Sequence, residues 1–334
     1  MLAVVKKQAA KGVALEHIPK PEPKPGEVLV RVRAASICGT DVGIYDWTPW
    51  AAGHITPPMT MGHELVGEVL EVNDSADAGI HPGDLVSSET HIFCGTCYQC
   101  RIGNRHICER MELFGIGRDG GFAEYATIPM RTTWKNDPSL DPEVMSAQEP
   151  LGNAVHVVSK ADVPGKTVLI LGLGPVGLSA IAVAKAYGAK RVIGVNRHEY
   201  RRKLGLAMGA DEVHALVPNE LVDACDVVLE MSGNTDAVED ALRAVRIGGR
   251  IVLFGIPKEP ARIDIGRYII NKELSLESVF GRRIWETWYQ VSDLLLSGRV
   301  DLGALVTHRF RLDEFEQAMA VMRSGECGKI VLLP

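Results

Sequence analysis

Three glycines, Gly172, Gly174 and Gly177, constrain the fold of this chain more than any other feature of its sequence. They form a G-x-G-x-x-G pattern that follows an apolar segment, 167–171, and opens a segment with helical spacing, 175–187. In that context the glycines allow a tight turn, a close approach of the backbone to a pyrophosphate, and close packing of strand and helix. The pattern predicts a dinucleotide site at the start of the helix, formed by Gly172, Gly174, Pro175, Val176 and Gly177. The alternative interpretation is a tight turn that binds no ligand.

Strands and helices alternate on both sides of this motif. The predicted strands are 167–171, 191–195, 226–230 and 249–254, and the predicted helices are 175–187, 200–208 and 235–245. This alternation is typical of βαβ units and of a parallel sheet.

The rest of the chain has a different pattern. The first third is rich in Gly, Pro and β-branched residues, with strands predicted at 27–33 and 65–72. At the other end we predict a helix at 285–296, a short β segment, a helix at 312–323 and a strand at 328–333, and we expect this tail to return to the first domain. The chain is therefore predicted to be an α/β protein of two domains. The first is an irregular, mostly-β domain, 1–153 completed by 293–334, and the second is a doubly wound parallel-sheet domain, 154–292.

Composition excludes several classes of function. The formal net charge of −6 over 334 residues argues against a nucleic-acid partner, which requires a surplus of Lys and Arg. Segment 168–184 is apolar, but the glycines and Pro175 near its start favour a strand, a turn and a buried helix over a membrane span. Because residues 1–12 contain no apolar stretch typical of a signal peptide, we expect a cytoplasmic protein without a membrane partner.

Four of the seven cysteines lie within fifteen positions, spaced as Cys94-x2-Cys97-x2-Cys100-x7-Cys108. Four thiolates with this spacing can enclose a structural zinc ion in a tetrahedron. An iron–sulfur cluster is the rival interpretation, but the ferredoxin pattern has its fourth cysteine three residues on, followed by proline. A disulfide framework is typical of smaller secreted chains, so the pattern favours structural zinc.

The end of the second predicted strand of the parallel sheet bears on the choice of cofactor. An acidic residue there would bind the adenine ribose 2′-hydroxyl and select NAD. This chain has Asn196, followed by Arg197 and Arg201, and an arginine can pair with a 2′-phosphate. The sequence therefore favours NADP over NAD, unless the basic residues are only an exposed helix face.

A third set of residues is dispersed along the chain. Cys38 precedes Thr40, His63 precedes Glu64, and Glu149 follows much later. Cys and His are preferred zinc ligands and a carboxylate is a possible third or fourth. Taken alone, these residues make a catalytic zinc site only a hypothesis.

Together these segments resemble the medium-chain zinc-dependent alcohol dehydrogenase family. The motifs Cys-Gly-Thr-Asp at 38–41, Gly-His-Glu at 62–64, the four cysteines and G-x-G-x-x-G occur in the family order. The resemblance implies a GroES-like catalytic domain and a Rossmann domain, one catalytic and one structural zinc ion, and hydride transfer from an alcohol substrate to NAD(P). It also implies a homotetramer.

Within the family the chain is most similar to the threonine dehydrogenases, through segments such as 152–156, 230–233 and 307–310. That resemblance implies oxidation of a secondary alcohol, L-threonine, to 2-amino-3-oxobutanoate. It also implies functional residues: Cys38, His63 and Glu64 as ligands of the catalytic zinc, Glu149 as another ligand or the partner of a water at the zinc, and His91 beside the substrate pocket. Thr40, two residues past Cys38, is placed to accept the substrate proton, unless its hydroxyl only satisfies the local backbone.

Two departures from the threonine dehydrogenase pattern keep other functions open. Gly43 stands where those enzymes usually have a histidine that helps carry the alcohol proton to solvent, and Asn196 stands where they usually have aspartate. The alternatives are an NADP-dependent polyol, sugar-alcohol or simple secondary-alcohol dehydrogenase and, from another class, a non-enzymatic protein that binds NADP and zinc.

Overall fold

The computed structural model of the chain describes residues 1–73 and 79–334. These residues form two compact units: Met1–Glu149 with Val306–Pro334, and Pro150–Leu305. The division expected from sequence, with boundaries after 153 and 292, differs at the second boundary. It would cut the continuous helix Glu286–Leu296, which lies wholly within the second unit.

The described strands, in chain order, are β1 (Leu2–Lys6), β2 (Ala14–His17), β3 (Glu27–Ile37), β4 (Met59–Thr60), β5 (Glu64–Asn73), β6 (Leu85–Ser88), β7 (His91–Ile92), β8 (Glu112–Leu113), β9 (Tyr125–Pro129), β10 (Thr133–Lys135), β11 (Thr167–Leu171), β12 (Arg191–Val195), β13 (Glu212–His214), β14 (Cys225–Glu230), β15 (Val245–Leu253), β16 (Ser275–Ser278), β17 (Val306–Arg311) and β18 (Lys329–Leu333).

The described α-helices are α1 (Gly39–Asp46), α2 (Pro49–His54), α3 (Tyr98–Arg101), α4 (Pro142–Ser146), α5 (Gln148–Ala161), α6 (Pro175–Ala186), α7 (Glu199–Ala207), α8 (Thr235–Ala244), α9 (Glu286–Leu296) and α10 (Phe315–Ser324). Short 3-10 turns cover Arg105–Ile107, Met130–Thr132, Asn219–Leu221 and Leu312–Glu314, and a π-helical turn covers Ile265–Ile270. Among residues 1–73 and 79–334, no helix combines the length and the apolar character needed to cross a lipid bilayer.

The first unit is built on a seven-stranded sheet in the order β10-β6-β5-β3-β18-β17, with β9 also paired to β3. The long strand β3 carries Val28, Val30 and Ile37 into the core of this unit, where Phe315 and Met319 of α10 join the same apolar cluster. The last strand, β18, pairs antiparallel with β3, and this pairing places the C-terminal segment in the first unit.

The second unit contains a six-stranded sheet in the order β13-β12-β11-β14-β15-β16, and every neighbouring pair is parallel. Numbered along this unit, the order is 3-2-1-4-5-6, which is the order of Rossmann dinucleotide-binding sheets. The predicted α/β fold class is therefore confirmed.

Several predicted elements of the chain have different bounds in the structure, and two predicted helices differ in kind at one end. The helix predicted over 235–245 ends at Ala244, because Val245 instead begins β15 and pairs with Cys225. The helix predicted over 312–323 begins as the 3-10 turn Leu312–Glu314 and becomes α-helical only from Phe315.

Candidate active site and cofactor site

Cys38, His63 and Glu64 lie together in the first unit, each offering a ligand atom within 4.8 Å of the others. Strand pairing explains the convergence. Ser36 of β3 lies opposite Glu64 of β5, so the residue after β3 and the residues at the start of β5 meet at one end of the sheet. Cys38 is more than twenty positions from His63 and Glu64 in the sequence, and the antiparallel pairing of β3 with β5 brings the three residues together.

The charges around His63 favour a cation. Burial by itself lowers the pKa of the imidazole, but the nearby Asp41 and Cys38 side chains outweigh burial and raise the pKa to about 10. The Asp41 carboxylate Oδ1 lies 3.7 Å from His63 Nδ1, and both side chains are almost fully buried. Surroundings that stabilise a proton at this place also stabilise a metal cation, which fits the thiolate, imidazole and carboxylate donor set that zinc prefers.

Glu64 uses its two carboxylate oxygens differently. Oε2 contacts the ammonium of Lys329 on β18 and accepts a hydrogen bond from the Ser36 hydroxyl. Oε1 is buried and has no hydrogen-bond partner among the described residues. A buried carboxylate oxygen without a partner is costly, and a metal ion beside Cys38 and His63 would satisfy it.

Lys329 is the residue that sequence reasoning missed at this site. It is 1% exposed, and although burial lowers the pKa of its ammonium, the charges of Glu64 and Cys38 raise that pKa above its ordinary value overall. A lysine inside the apolar strand 329–333 is the signal that could have drawn attention to it, because lysine is almost never fully buried unless it is paired.

The structure places the remaining predicted residues of the first unit around this cluster. Thr40 Oγ1, in the first turn of α1, lies 3.8 Å from Cys38 Sγ. Glu149 is largely buried and its Oε1 accepts a hydrogen bond of 3.2 Å from the Thr90 hydroxyl, but Glu149 is not part of the three-residue cluster. His91 is buried, and its backbone N–H donates to Glu89 Oε1 at 2.8 Å.

Cys94, Cys97, Cys100 and Cys108 form a second cluster, with all four sulfur atoms within 4.8 Å of one another. All seven cysteines of the chain are free thiols. Backbone N–H groups point at the sulfurs: those of Thr96 and Cys97 donate to Cys94 Sγ at 3.5 and 3.4 Å. These hydrogen bonds stabilise the thiolate and lower the pKa of Cys94 to about 5. Four sulfurs in this arrangement are a closed, all-thiolate donor set of the kind that holds structural zinc.

The glycine motif forms the turn between β11 and α6 in the second unit. Gly172 has φ of +98°, and a Cβ there would meet the Ser232 backbone and side chain at 2.7–2.9 Å, so only glycine fits. A Cβ at Gly177 would lie 2.0 Å from the Gly172 carbonyl oxygen. Gly174 is the N-cap of α6 and Pro175 its first residue, so the free N–H groups of a twelve-residue helix face the turn.

Beside this turn is a cavity of about 250 Å³ within the second unit. Its lining includes Gly172 and Ser232, the residues Asn196, Arg197 and Arg201 that follow β12, and Asp236 and Asp240 of α8.

The basic residues after β12 differ in what they contact. Arg202 donates hydrogen bonds of 2.8 Å to the carbonyl oxygens of Asn196 and Arg197, and Lys203 pairs with Glu199 at 2.8 Å. Arg197 and Arg201 line the cavity, and Arg201 Nε is buried without a partner among the described residues. Two arginines of the basic run are thus placed to meet a ligand in the cavity, whereas Arg202 supports the loop.

Comparison with known proteins extends this picture. Residues 24–138 match the alcohol dehydrogenase GroES-like domain family, and residues 175–297 match the zinc-binding dehydrogenase family. The chain is 46% identical over 343 residues to the L-threonine 3-dehydrogenase of Pyrococcus abyssi, covering 100% of this chain and 98% of that relative. It is 44% identical over 344 residues to the enzyme of the same name from Symbiobacterium thermophilum, with the same coverage.

A solved structure, galactitol-1-phosphate dehydrogenase from Escherichia coli, superposes with a TM-score of 0.91 at 27% identity and covers 100% of both chains. The family resemblance seen in the motifs is confirmed by these full-length matches. The chain belongs to the zinc-binding alcohol dehydrogenase family, whose members oxidise CH–OH groups with zinc and a nicotinamide cofactor.

Proposed function

We propose that this chain is an L-threonine 3-dehydrogenase, which oxidises the secondary alcohol of L-threonine to 2-amino-3-oxobutanoate and transfers the hydride to NADP or NAD. The observation that carries the proposal is that relatives of this name match the chain from end to end. The buried cluster of Cys38, His63 and Glu64 supports zinc-dependent alcohol oxidation, because a protein that has lost this chemistry has no physical need for a cation-favouring donor set there.

In this proposal Cys38, His63 and Glu64 hold the catalytic zinc, with Glu149 as a further ligand or close partner. Zinc in such a site supplies Lewis-acid chemistry and lowers the pKa of the substrate hydroxyl. Asp41 Oδ1 lies 3.7 Å from His63 Nδ1, and the negative charge of this carboxylate favours a cation at the site. Lys329 and Ser36 fix Oε2 of Glu64 and leave Oε1 to face the cluster.

The proton of the substrate hydroxyl goes to Thr40 in our proposal. The Thr40 hydroxyl is half-buried and lies 3.8 Å from Cys38 Sγ, which puts an oxygen that can accept one proton and release another beside the ligand cluster. The alternative role is local: the hydroxyl only forms hydrogen bonds with backbone groups in the first turn of α1. We assign His91, which is buried close to Glu89, to the substrate pocket.

The cysteines Cys94, Cys97, Cys100 and Cys108 hold a structural zinc in this proposal, which gives two zinc ions per chain. Four sulfurs within 4.8 Å of one another can complete the tetrahedral shell of a zinc ion and would leave no position for substrate. We therefore assign this lobe to stability and not to catalysis.

For the cofactor we propose NADP in preference to NAD. The pyrophosphate binds at the turn formed by Gly172, Gly174, Pro175, Val176 and Gly177, and the adenine ribose enters the neighbouring cavity. Asn196 carries no charge that would repel a 2′-phosphate, and Arg197 and Arg201 line the cavity with guanidinium groups. The nicotinamide ring then accepts the hydride, which is chemistry that the cofactor brings.

We also propose a homotetramer located in the cytoplasm. Strand β16 pairs only with β15 among the described strands, and the apolar side chains of Leu276, Phe280 and Ile270 near it are exposed. An exposed edge strand flanked by apolar side chains is a surface that a second copy of the chain can cover. Seven free thiols, four of them in one zinc-type cluster, suit a reducing compartment.

The test is the initial rate of nicotinamide reduction by zinc-loaded protein with L-threonine, with NADP and NAD in separate reactions. Turnover of L-threonine that is absent with D-threonine would support the proposal. Protein that retains two zinc ions and reduces neither cofactor with L-threonine would overturn it.

A polyol, sugar-alcohol or simple secondary-alcohol dehydrogenase is the second candidate. Two observations favour it: Gly43 leaves out the histidine typical of threonine dehydrogenases, and Asn196 replaces their aspartate. A panel of polyols and simple secondary alcohols, assayed with the same protein, separates this candidate from the first.

A further inference from the structure

The cavity beside the glycine turn is lined by charges of both signs. Arg197 and Arg201 follow β12, whereas Asp236 and Asp240 come from α8 on the other side. Counted at neutral pH, two guanidinium groups face two carboxylates, so the cavity has no net positive charge from these residues. A basic residue after β12 is therefore only part of what decides whether a 2′-phosphate is accepted.

Within this cavity Arg197 is paired with a carboxylate of the protein. Its Nη2 lies 3.7 Å from Asp236 Oδ2, and the two side chains are 69% and 78% exposed. Asp236 stands in the first turn of α8, where the Asn234 side chain accepts a hydrogen bond of 2.9 Å from its backbone N–H. The helix terminus thus fixes the backbone of Asp236, while its side chain is free to hold the guanidinium.

We infer that Asp236 is a specificity-determining residue of the cofactor site, which weakens NADP binding because it occupies Arg197 as a counter-ion. The inference rests on the proposed function only in assuming that the adenine ribose enters this cavity. To pair with the guanidinium of Arg197, a 2′-phosphate must first displace the Asp236 carboxylate. Otherwise the phosphate binds with that carboxylate close by, which repels it. NAD, which has a 2′-hydroxyl there, meets no such competition.

Asp240 belongs to the same electrostatic group. Burial raises the pKa of its carboxyl above the ordinary value, and the like charges of Glu239 and Asp236 raise it further, against the opposing effect of Arg243 and Arg197. Asp240 also lies 3.8 Å from Arg243, so it already has a cation of its own. Asp236 is for this reason the better residue to change.

The experiment is a double-mutant cycle on dissociation constants, measured by calorimetry with NADP and with NAD on the full-length, zinc-loaded chain. The four proteins are the wild type, Asp236→Asn, Arg197→Ala and the double variant. Asp236→Asn should lower the dissociation constant for NADP by about three- to fivefold, the size expected of an exposed charge pair, and leave that for NAD unchanged. In the Arg197→Ala background the same substitution should have a much smaller effect on NADP, because only the direct repulsion between the carboxylate and the 2′-phosphate remains.

Glu239→Gln is the matched control, because Glu239 is an exposed carboxylate on the same helix that does not line the cavity. It should leave both dissociation constants unchanged. The inference is overturned if Asp236→Asn changes the NADP constant by no more than Glu239→Gln does, or if its effect is undiminished in the Arg197→Ala background.

Binding of the oxidised cofactors requires no alcohol, so these outcomes are independent of whether the protein oxidises L-threonine. A wild type that binds NAD more tightly than NADP would overturn the proposed cofactor preference. The cycle would still decide the role of Asp236.

Discussion

Lys329 holds Glu64 through a fully buried ion pair that joins the last strand of the chain to the candidate catalytic cluster. Lys329 is 1% exposed and Glu64 is 1% exposed, and the ammonium contacts Oε2 of the carboxylate. Burying two charges is costly, and their attraction compensates only when the geometry is good and the remaining polar atoms are satisfied. Here Ser36 supplies a further hydrogen bond to Oε2, while Oε1 has no hydrogen-bond partner among the described residues.

Replacement of Lys329 by methionine should therefore destabilise the first unit. Removing one partner of a buried ion pair leaves the other charge uncompensated, at a cost of about 3–5 kcal/mol in the free energy of unfolding. The measurement is urea unfolding at fixed free zinc, with the signal assigned to the first unit. The control is the same substitution in the Glu64→Gln background, where the proposed zinc ligand is absent from both compared proteins. There Lys329→Met should cost far less, since it leaves no uncompensated carboxylate. An equal cost of Lys329→Met in both backgrounds would contradict this account of the pair.

The two candidate zinc sites should be distinguishable by the zinc content of variants. Cys38→Ser is expected to reduce the zinc content from about two ions per chain to about one, and to abolish turnover, because Cys38 belongs to the cluster with His63 and Glu64. Cys97→Ser should also remove about one zinc ion, but its main effect should be on stability. A Cys38→Ser protein that keeps both its zinc content and its activity would rule out the proposed catalytic site.

The glycine turn offers a test in which backbone strain and steric clash can be told apart. Gly172 and Gly209 both have φ of +98°, but a Cβ at Gly172 meets Ser232 at 2.7 Å, whereas the nearest atom at Gly209 is Lys185 Cγ at 3.8 Å. Alanine at either position should cost about 1–3 kcal/mol in strain. Only Gly172→Ala should also lose dinucleotide binding, because Ser232 must move out of the cavity wall. If both variants lose dinucleotide binding equally, backbone strain and not the clash with Ser232 explains the loss.

Sequence patterns predicted the second unit better than the first. The strands at 167–171 and 191–195 are found with the predicted bounds, since parallel strands buried on both faces are short apolar runs that glycines and helices delimit. The pairing of β18 with β3 joins residues some 300 positions apart, as Ile330 opposite Ile37 shows. Local periodicity carries no information about which distant strand a segment pairs with. Sequence patterns predicted only that the C-terminal segment returns to the first domain, not that β18 pairs with β3.

The candidate site shows the same limit at the level of side chains. Cysteine spacing was enough to predict the four-sulfur cluster, because its members are close in sequence. The family motifs brought Cys38, His63 and Glu64 together, but Lys329 and Asp236 emerged only from the structure. Lys329 pairs with Glu64, and Asp236 pairs with Arg197. Each partner lies in a different part of the chain, so neither residue belongs to a local sequence motif.

His156 should make the second unit less stable in mild acid. It is 3% exposed, and burial lowers the pKa of its imidazole below the ordinary 6.5, more than the hydrogen bond to the Gly281 carbonyl raises it. Below pH 6.5 the unfolded chain therefore takes up a proton that the folded chain does not, so the free energy of unfolding falls as the pH decreases. The slope attributable to one histidine is at most about 1.4 kcal/mol per pH unit.

The measurement for His156 is the difference in unfolding free energy between the wild type and His156→Gln, followed from about pH 7.5 to about pH 5.5 around the ordinary histidine pKa. The stability of the wild type should fall more steeply than that of the variant. Parallel curves would show that His156 titrates alike in the folded and unfolded chains.

Gly43 is the departure from the threonine dehydrogenase pattern that can be reversed directly. A Cβ at this position of α1 meets only the Thr48 hydroxyl oxygen, at 3.5 Å, which is ordinary van der Waals contact, and the backbone needs no positive φ. Gly43→His should therefore fold and restore the imidazole that helps carry the alcohol proton to solvent in similar enzymes. Because a positioned acid–base group contributes about 10²–10⁴-fold when proton transfer limits the rate, kcat should rise most above the ordinary imidazole pKa of about 6.5, where the ring is neutral and can accept the proton. Gly43→Ala controls for the change in helix propensity. If the histidine and alanine variants have the same pH–rate profile, proton transfer through this position does not limit turnover in this chain.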